Sequence, residues 1–362
     1  MLPTRQPEVR LKAPVQQIDT GTHSDADFFY LMGTIRLLKI MKTKLVLFLA
    51  IAICVFAQRG ESQDKVVIRF GHFPNITHAQ GVIAHALTRQ GKGWFEQRLG
   101  PNVEIQWFTY NAGPSAMEAI FAKSLDLTYV GQGPALNAHF KSNGDEIRVL
   151  AGAANAGAAL AVKSDSPIKI PADFRGKKIA TPQLGNTQDI SCRAWLKAHG
   201  FKVTQIGGDV IVLPTNNPDQ LALLQSGGVD AVWTVEPWVT RLEREAKARI
   251  FLEDKDVITT WLVSSTKFLN GQHELVKKIV AANAELTDWI QQNPEQAQKL
   301  LIDELTAETR TTFAPDAVAQ AWKRIKFTTA APAELIAKAV QDGKDAGFFK
   351  GNTDTSKLIF TP

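Results

Sequence analysis

The sequence predicts an α/β protein of two lobes with largely parallel sheets, on three observations. Short β-rich runs alternate with helical patterns from Val66 to Glu245, the order expected when helices cover a parallel sheet. Polar turns rich in Asn, Thr, Gln and Gly fall where strands hand over to helices, the carboxyl ends at which such sheets bind ligands. The chain has 362 residues, 44% hydrophobic and 21% charged. That is ordinary globular composition with length enough for two lobes.

Val66 to Gly71 is β-rich and reads as the first strand. His72 to His78 is a loop, and Val82, Ile83, Ala86 and Leu87 set a helical spacing over 79–89. Asn75 and Thr77 therefore sit where a strand meets a helix start, a first cradle for a small ligand. Val103 to Thr109 alternates as a second strand. Gly113-Pro114-Ser115 opens a helix through Lys123, with Pro near its first turn. A third strand, Leu125 to Val130, turns through Gly131-Gln132-Gly133-Pro134 into a helix over 135–140. Glycine lets backbone approach a ligand there, and Gln132 offers donor and acceptor. Ile147 to Ala151 is a fourth strand, and the small-residue run 152–157, which includes Ala153, carries the chain across to Leu160 and Val162.

Pro171 to Gly176 reads as a short helix and turn, and Lys178 to Ala180 as a strand. The stretch Thr181 to Ile190 follows and runs into a helix over 190–199. Free N–H groups and a partial positive charge at a helix start make this a second cradle for an anion. Asn186 and Thr187 are N-cap types there. Val210 to Leu213 and Val229 to Val235 read as strands flanking a helix over 217–225, broken by Gly227-Gly228. Glu236-Pro237-Trp238 opens a helix through Glu245. Ile250 to Leu252 and Ile258 to Ser264 read as strands, the second returning the chain to the first lobe. Helices are predicted over 273–291, 294–305, 315–323 and 332–346, punctuated by Asn293-Pro294 and Ala331-Pro332.

The N-terminus has the pattern of a secretion signal at 41–57. Met41-Lys42-Thr43-Lys44 is a short basic stretch, Leu45 to Ala57 an apolar run too short for an easy bilayer span, and Val55-Phe56-Ala57 a cleavage site. Residues 1–40 form an upstream extension, expected to be untranslated, with translation starting at Met41 or Met32, or else disordered. Of the two cysteines, Cys54 lies inside the signal, leaving Cys192 without an intrachain partner. Lipid attachment at Cys54 is disfavoured because a small residue does not precede it. The seven His are scattered without paired ligand spacing, so neither a metal site nor a cofactor is expected. The net charge of +5 is partly terminal. Residues 1–57 hold seven of the 41 Lys/Arg and four of the 36 Asp/Glu, leaving 34 against 32. No basic stripe interleaved with aromatics points to nucleic acid.

Four segments carry a resemblance: Pro74-Asn75-Ile76-Thr77-His78, Gly131-Gln132-Gly133-Pro134, Gly185-Asn186-Thr187-Gln188-Asp189, and Asp230-Ala231-Val232-Trp233-Thr234-Val235-Glu236-Pro237-Trp238. Together with the helix from Leu275 to Gln292-Asn293-Pro294-Glu295, their order over residues 65–345 resembles the periplasmic substrate-binding proteins of ABC importers for aliphatic sulfonates, taurine and nitrate. The resemblance implies the type II periplasmic-binding-protein fold, two α/β lobes joined by two crossover segments with a cleft between them. It divides the chain into lobe one at 65–155 plus 262–362, with the C-terminal helices packed on it, and lobe two at 156–261. It further implies a monomer in the periplasm that delivers a small organic anion or zwitterion to a permease and, through it, an ATPase. Where sulfonate binders often carry a Ser pair, this chain has Asn186-Thr187-Gln188.

The ligand set expected is Asn75, Thr77, His78, Gln132, Gly133, Ala153, Asn186, Thr187, Gln188, Asp189, Glu236 and Trp238, with His78 either in contact with the ligand or a structural hydrogen-bond partner. Capping alone accounts for Asn75, Thr77, Asn186 and Thr187 taken singly; their pairing at two strand-to-helix turns in opposite lobes favours a ligand. Gln132 and Gln188 have no capping need. Asp189 and Glu236 pair with Arg193 or favour a helix N-terminus, or else face the cleft and hold the ammonium of a taurine-like zwitterion. Trp238 is a cleft wall or plain core. No Lys or Arg falls in a cradle turn, which points to anion capture by neutral donors. The alternatives are an enzyme on the same fold (a pyrimidine-precursor synthase or a desulfinase), a binder of nitrate or of a thiamine pyrimidine precursor, and a sensor-coupled module. Cys192 and His199 stand two helical turns apart, too far for a nucleophile–base pair, so a non-enzymatic role is expected.

Overall fold

The computed structural model describes residues 36, 39–44, 65–204 and 207–361. The chain divides into two compact units, Met1–Gln63 and Asp64–Pro362. In the first, residue 36 and residues 39–44 are helical and exposed. The rest of the expected extension, the apolar run Leu45–Ala57, Cys54 and the cleavage site lie outside the described residues. Among the described residues no helix is long and apolar enough to cross a membrane.

The second unit opens with β1 (Val66–His72), a 3₁₀ turn (Ile76–His78), α1 (Ala79–Arg89), α2 (Trp94–Leu99) and β2 (Val103–Thr109). Next come α3 (Gly113–Phe121), β3 (Leu127–Val130), α4 (Gln132–Lys141), β4 (Ile147–Ala156) and β5 (Ala158–Lys163). Then follow β6 (Lys178–Thr181), α5 (Thr187–Ala198), β7 (Ile211–Pro214), α6 (Asn217–Ser226), β8 (Ala231–Val235), α7 (Trp238–Glu245), β9 (Ala248–Asp254) and β10 (Ile258–Ser265). The C-terminal part is α8 (Thr266–Gly271), α9 (His273–Gln292), α10 (Pro294–Thr309), α11 (Pro315–Trp322), β11 (Ile325–Phe327) and α12 (Ala333–Ala346).

The strands form two sheets, ordered β11-β4-β10-β3-β1-β2 and β7-β6-β8-β5-β9. β1 pairs in parallel with β2 and β3, and β6 with β7 and β8. The crossing strands β10 and β5 are antiparallel to their neighbours. Each sheet is covered on both faces, as its alternation requires. Leu127 and Tyr129 enter one core and Val130 another; Leu160 and Val162 face one side of the second sheet and Ala161 the other. This is the two-lobed periplasmic-binding-protein architecture.

The chain crosses between sheets twice. The first crossing is the step from β4 to β5, where Ala156 and Gly157 both have positive φ (60° and 73°). The second lies between Asp254 and Ile258, because β10 pairs with β4 from Ile258 on. The C-terminal helices, expected on the first lobe, touch both. Ile336 and Ala339 of α12 share an apolar cluster with Ile190 of α5, and Arg244 of α7 pairs with Asp316 of α11 at 2.7 Å.

Candidate binding site

The carboxyl ends of the parallel strands meet across a cavity lined from the first sheet by Phe73, Asn75, Thr77, His78, Asn111, Ala112, Gly113, Gly131, Pro134 and Thr259. From the second sheet come Pro182, Asn186, Thr187, Gln188, Asn217 and Val235. Side-chain oxygens, amides and one imidazole dominate the wall, and no lining residue is Lys, Arg, Asp or Glu.

Four helices begin at this wall, α3, α4, α5 and α6. Only α5 is capped by a side chain, with Asn186 Oδ1 accepting from the Asp189 N–H at 2.8 Å. The N-caps Ala112, Gly131 and Asn216 cap with no side chain. The positive dipole ends of four helices thus converge on one small space.

The lobes are closed over it. Gly133 N–H donates to Thr187 Oγ1 at 3.1 Å, Asn111 Nδ2 to Asn216 Oδ1 at 2.9 Å, and Gln183 Nε2 to Ser115 Oγ at 3.2 Å, each from one lobe to the other. The cavity left for the centres of water-sized molecules is about 20 Å³, space for about one water.

Six of the twelve expected residues line this cavity: Asn75, Thr77, His78, Asn186, Thr187 and Gln188. Asn75 Oδ1 accepts from Trp238 Nε1 at 2.8 Å and from Asn217 Nδ2 at 3.4 Å, bonds that occupy its oxygen and not its donor nitrogen. Burial pushes the His78 imidazole well below its ordinary value, helped by the nearby His72 and opposed by Glu308. His78 is therefore neutral, and its buried Nδ1 has no hydrogen-bond partner. Gln188 Oε1 accepts from Asn186 Nδ2 at 3.1 Å.

The other six lie off the wall. Gln132 turns inward, its Oε1 accepting from the Ile258 N–H at 3.1 Å. Gly133 contributes the closing bond to Thr187. Ala153 is core, its carbonyl accepting from Gln80 Nε2 at 2.9 Å. Trp238 is core and acts only through Asn75. Asp189 points back into its lobe, accepting from Thr181 Oγ1 at 3.0 Å, Gly185 N–H at 2.9 Å and Arg193 Nε at 3.0 Å. Glu236 accepts from Thr240 N–H and Oγ1, each at 3.0 Å, and from Arg324 Nη1 at 2.6 Å. Burial still pushes its pKa above the usual carboxylate value, against the pull of Arg324 and the Thr240 bonds. Of the two roles considered for these acids, the structure has the interior one: Asp189 pairs with Arg193, and Glu236 accepts at the start of α7.

Asn111 and Asn217 were missed, although each stands at the strand-to-helix turn that marked Asn75. Thr259 had no such signal, because it opens an antiparallel strand.

Relatives agree with this architecture. An Escherichia coli (strain K12) protein named, provisionally, as aliphatic sulfonates-binding is 25% identical over 262 residues, 71% of this chain and 77% of its own. The nitrate/nitrite binding protein NrtA of Nostoc sp. is 27% identical over 144 residues, 40% of this chain and 28% of its own. The alkanesulfonate-binding protein SsuA from Xanthomonas axonopodis pv. citri, solved bound to MOPS, superposes with a TM-score of 0.65 at 19% identity, covering 80% of this chain and 96% of that one. Residues 61–302, about two thirds of the sequence, match the NMT1-like family, and the chain belongs to that family.

Proposed function

We propose that this protein is the solute-binding component of an ABC importer and captures a small organic anion of the alkanesulfonate class in the interlobe cleft. The observation that carries the reading is a wall of neutral donors at the starts of four helices, three of them without a side-chain cap. A desolvated anion takes N–H and O–H donors and dipole ends without needing a counter-ion. Asn75, Thr77, His78, Asn186, Thr187 and Gln188 are the binding residues in this proposal, with Asn111, Asn217 and Thr259 beside them. The names of the relatives support the ligand class.

Lobe one is then 65–156 with 258–361, and lobe two 157–257, rocking about the two crossings. A permease on another chain, and through it an ATPase, would act on the closed, monomeric form delivered in the periplasm, after export through the signal at 41–57. An enzymatic role has less to stand on. Cys192 is buried, burial pushes its thiol well above the ordinary value, and the neutral thiol is no nucleophile.

A second reading, nitrate as cargo, is favoured by one observation: the closed cavity is small, and a compact planar oxyanion needs the lobes to part less than an alkanesulfonate does. A thermal-shift titration of the protein from Gln58 onward separates the two. Alkanesulfonates, taurine, nitrate, sulfate and a hydroxymethylpyrimidine form the panel, since a ligand of the folded state raises Tm by mass action. A saturable rise with alkanesulfonates is expected, a rise with nitrate alone moves the protein to the second reading, and no rise with any oxyanion overturns anion capture.

A further inference from the structure

Behind the first binding loop lies a cluster that the anion site does not use. His72 ends β1, His85 sits inside α1 and Glu308 is near the end of α10. His72 Nε2 and His85 Nδ1 are 3.0 Å apart, and each is 3.0 Å from Glu308 Oε1. A fourth group, Glu304 Oε1, is also 3.0 Å from His85 Nδ1 and accepts from Arg89 Nε at 2.9 Å.

Hydrogen bonds alone do not satisfy this arrangement. A ring nitrogen has one in-plane lone pair or one N–H and serves one partner well. His85 Nδ1 faces three at equal distance. An ion placed among them serves all at once. Zn–N bonds of about 2.0–2.1 Å imply separations of roughly 2.9–3.4 Å between adjacent ligand atoms, from octahedral to tetrahedral geometry. The observed triangle lies in that range.

Outer contacts have the form found around metal ligands. His72 Nδ1 is 3.4 Å from the Phe73 carbonyl, an arrangement that places its proton on Nδ1 and the lone pair on Nε2. Thr109 Oγ1 donates to Glu308 Oε1 at 2.9 Å, and the second oxygen of Glu308 is buried without a partner. The His72 and Glu308 side chains are 0% and 3% exposed, whereas His85 at 13% leaves an approach from solvent.

We infer that His72, His85 and Glu308, with Glu304 alongside, bind one divalent first-row transition-metal ion with zinc-like ligand preference. Two imidazoles and a carboxylate are a borderline donor set that suits zinc, cobalt or iron better than calcium or magnesium. The ion would join β1, α1 and α10 directly beneath the loop that carries Asn75, Thr77 and His78.

The test uses purified protein stripped with a chelator and titrated with Co²⁺, then Zn²⁺, with no anion present. The expected result is visible Co²⁺ absorption that saturates at a single site, is displaced by Zn²⁺, and is accompanied by a rise in Tm. His85→Gln and Glu308→Gln should each weaken Zn²⁺ binding by tenfold or more. Absence of both the absorption and the Tm rise in the folded parent protein overturns the inference, as does unchanged Zn²⁺ binding in the folded variants. If neither variant folds, the parent titration decides alone. Anion binding is read separately, so either result leaves the cargo question distinguishable.

Discussion

At the scale of single residues, Thr187 has two duties, lining the cavity and accepting the Gly133 N–H across the cleft. Valine keeps its shape and removes the acceptor. The closed form then holds an unpaired buried N–H, which costs about 1–3 kcal/mol, while the open form loses nothing. Thr187→Val should therefore raise the Kd for the cargo by about tenfold to a hundredfold (1.4 kcal/mol per tenfold) and leave Tm without ligand nearly unchanged. An unaltered Kd in calorimetry would sink the closing role. Asp254 is a different case, a titration rather than a contact. Burial pushes its carboxyl up to about 6, with Lys338 and Ser191 pulling the other way and Asp342 and Asp256 adding to the rise. A raised acid binds its proton more tightly folded than unfolded, so stability should fall as pH climbs from about 4 to about 6 and stay lower above that. Asp254→Asn should remove this slope and raise stability at neutral pH by about 1–2 kcal/mol, with some of the shift discounted for partial exposure. Urea melts at several pH values check it; a parallel pH profile in parent and variant would refute it. The polar residues also show what a sequence reveals at this scale. Asn186 was legible as a cap because cap chemistry is local. For Glu236 the helix-start role was legible and is met by the Thr240 N–H, but its pairing with Arg324 was not, because that partner is 88 residues away.

At the scale of elements, the first crossing depends on backbone that two residues bend differently. Gly157 has φ +73°, and a Cβ there would stand 2.6 Å from Ile325 Cγ1. Alanine at 157 would meet both left-handed strain of about 1–2 kcal/mol and a clash with the edge strand. Ala156 already bears such strain at φ 60°. Gly157→Ala should lower stability by about 2 kcal/mol or more. Ala156→Gly should fall within about 1 kcal/mol of the parent, since relief of strain is offset by a more flexible unfolded chain. Chemical denaturation of the two variants measures the contrast, and equal effects would contradict it. The regular elements were largely legible, because helical and alternating patterns reflect which face is covered. The exceptions have physical reasons. β5, Ala158–Lys163, is half alanine, a weak strand former, and is a strand because β8 and β9 flank it. β11 is three residues long and exists by pairing with β4. α12 was legible as a helix, but its contact with α5 was not, since the pairing spans about 145 residues of sequence.

At the scale of the whole molecule, charge is distributed so that the cargo site is nearly independent of it. The chain beyond residue 57 has 34 basic and 32 acidic residues, too even a balance to steer anions strongly. Arg324 is a cation at the lobe junction, and it is occupied. It gathers Glu236, Glu243 and Glu253 from the second lobe at 2.6, 2.9 and 3.5 Å and so fastens the C-terminal segment across the junction instead of serving a ligand. The cavity wall has no charged side chain, and its attraction for an anion comes from helix starts and neutral donors. Salt screens exposed charges within about 8–10 Å but acts weakly on dipoles in a closed, desolvated space. A site built on Lys or Arg at the cleft mouth would lose affinity steeply as salt rises. This one should not: raising an inert salt from about 50 mM to about 500 mM, with a competing anion excluded by choice of salt, should change the cargo Kd by less than about threefold. Titration calorimetry at the two ionic strengths measures this directly. A loss of tenfold or more would mean that an exposed cation guides or holds the ligand, and the neutral-donor account of the cleft would have to be abandoned.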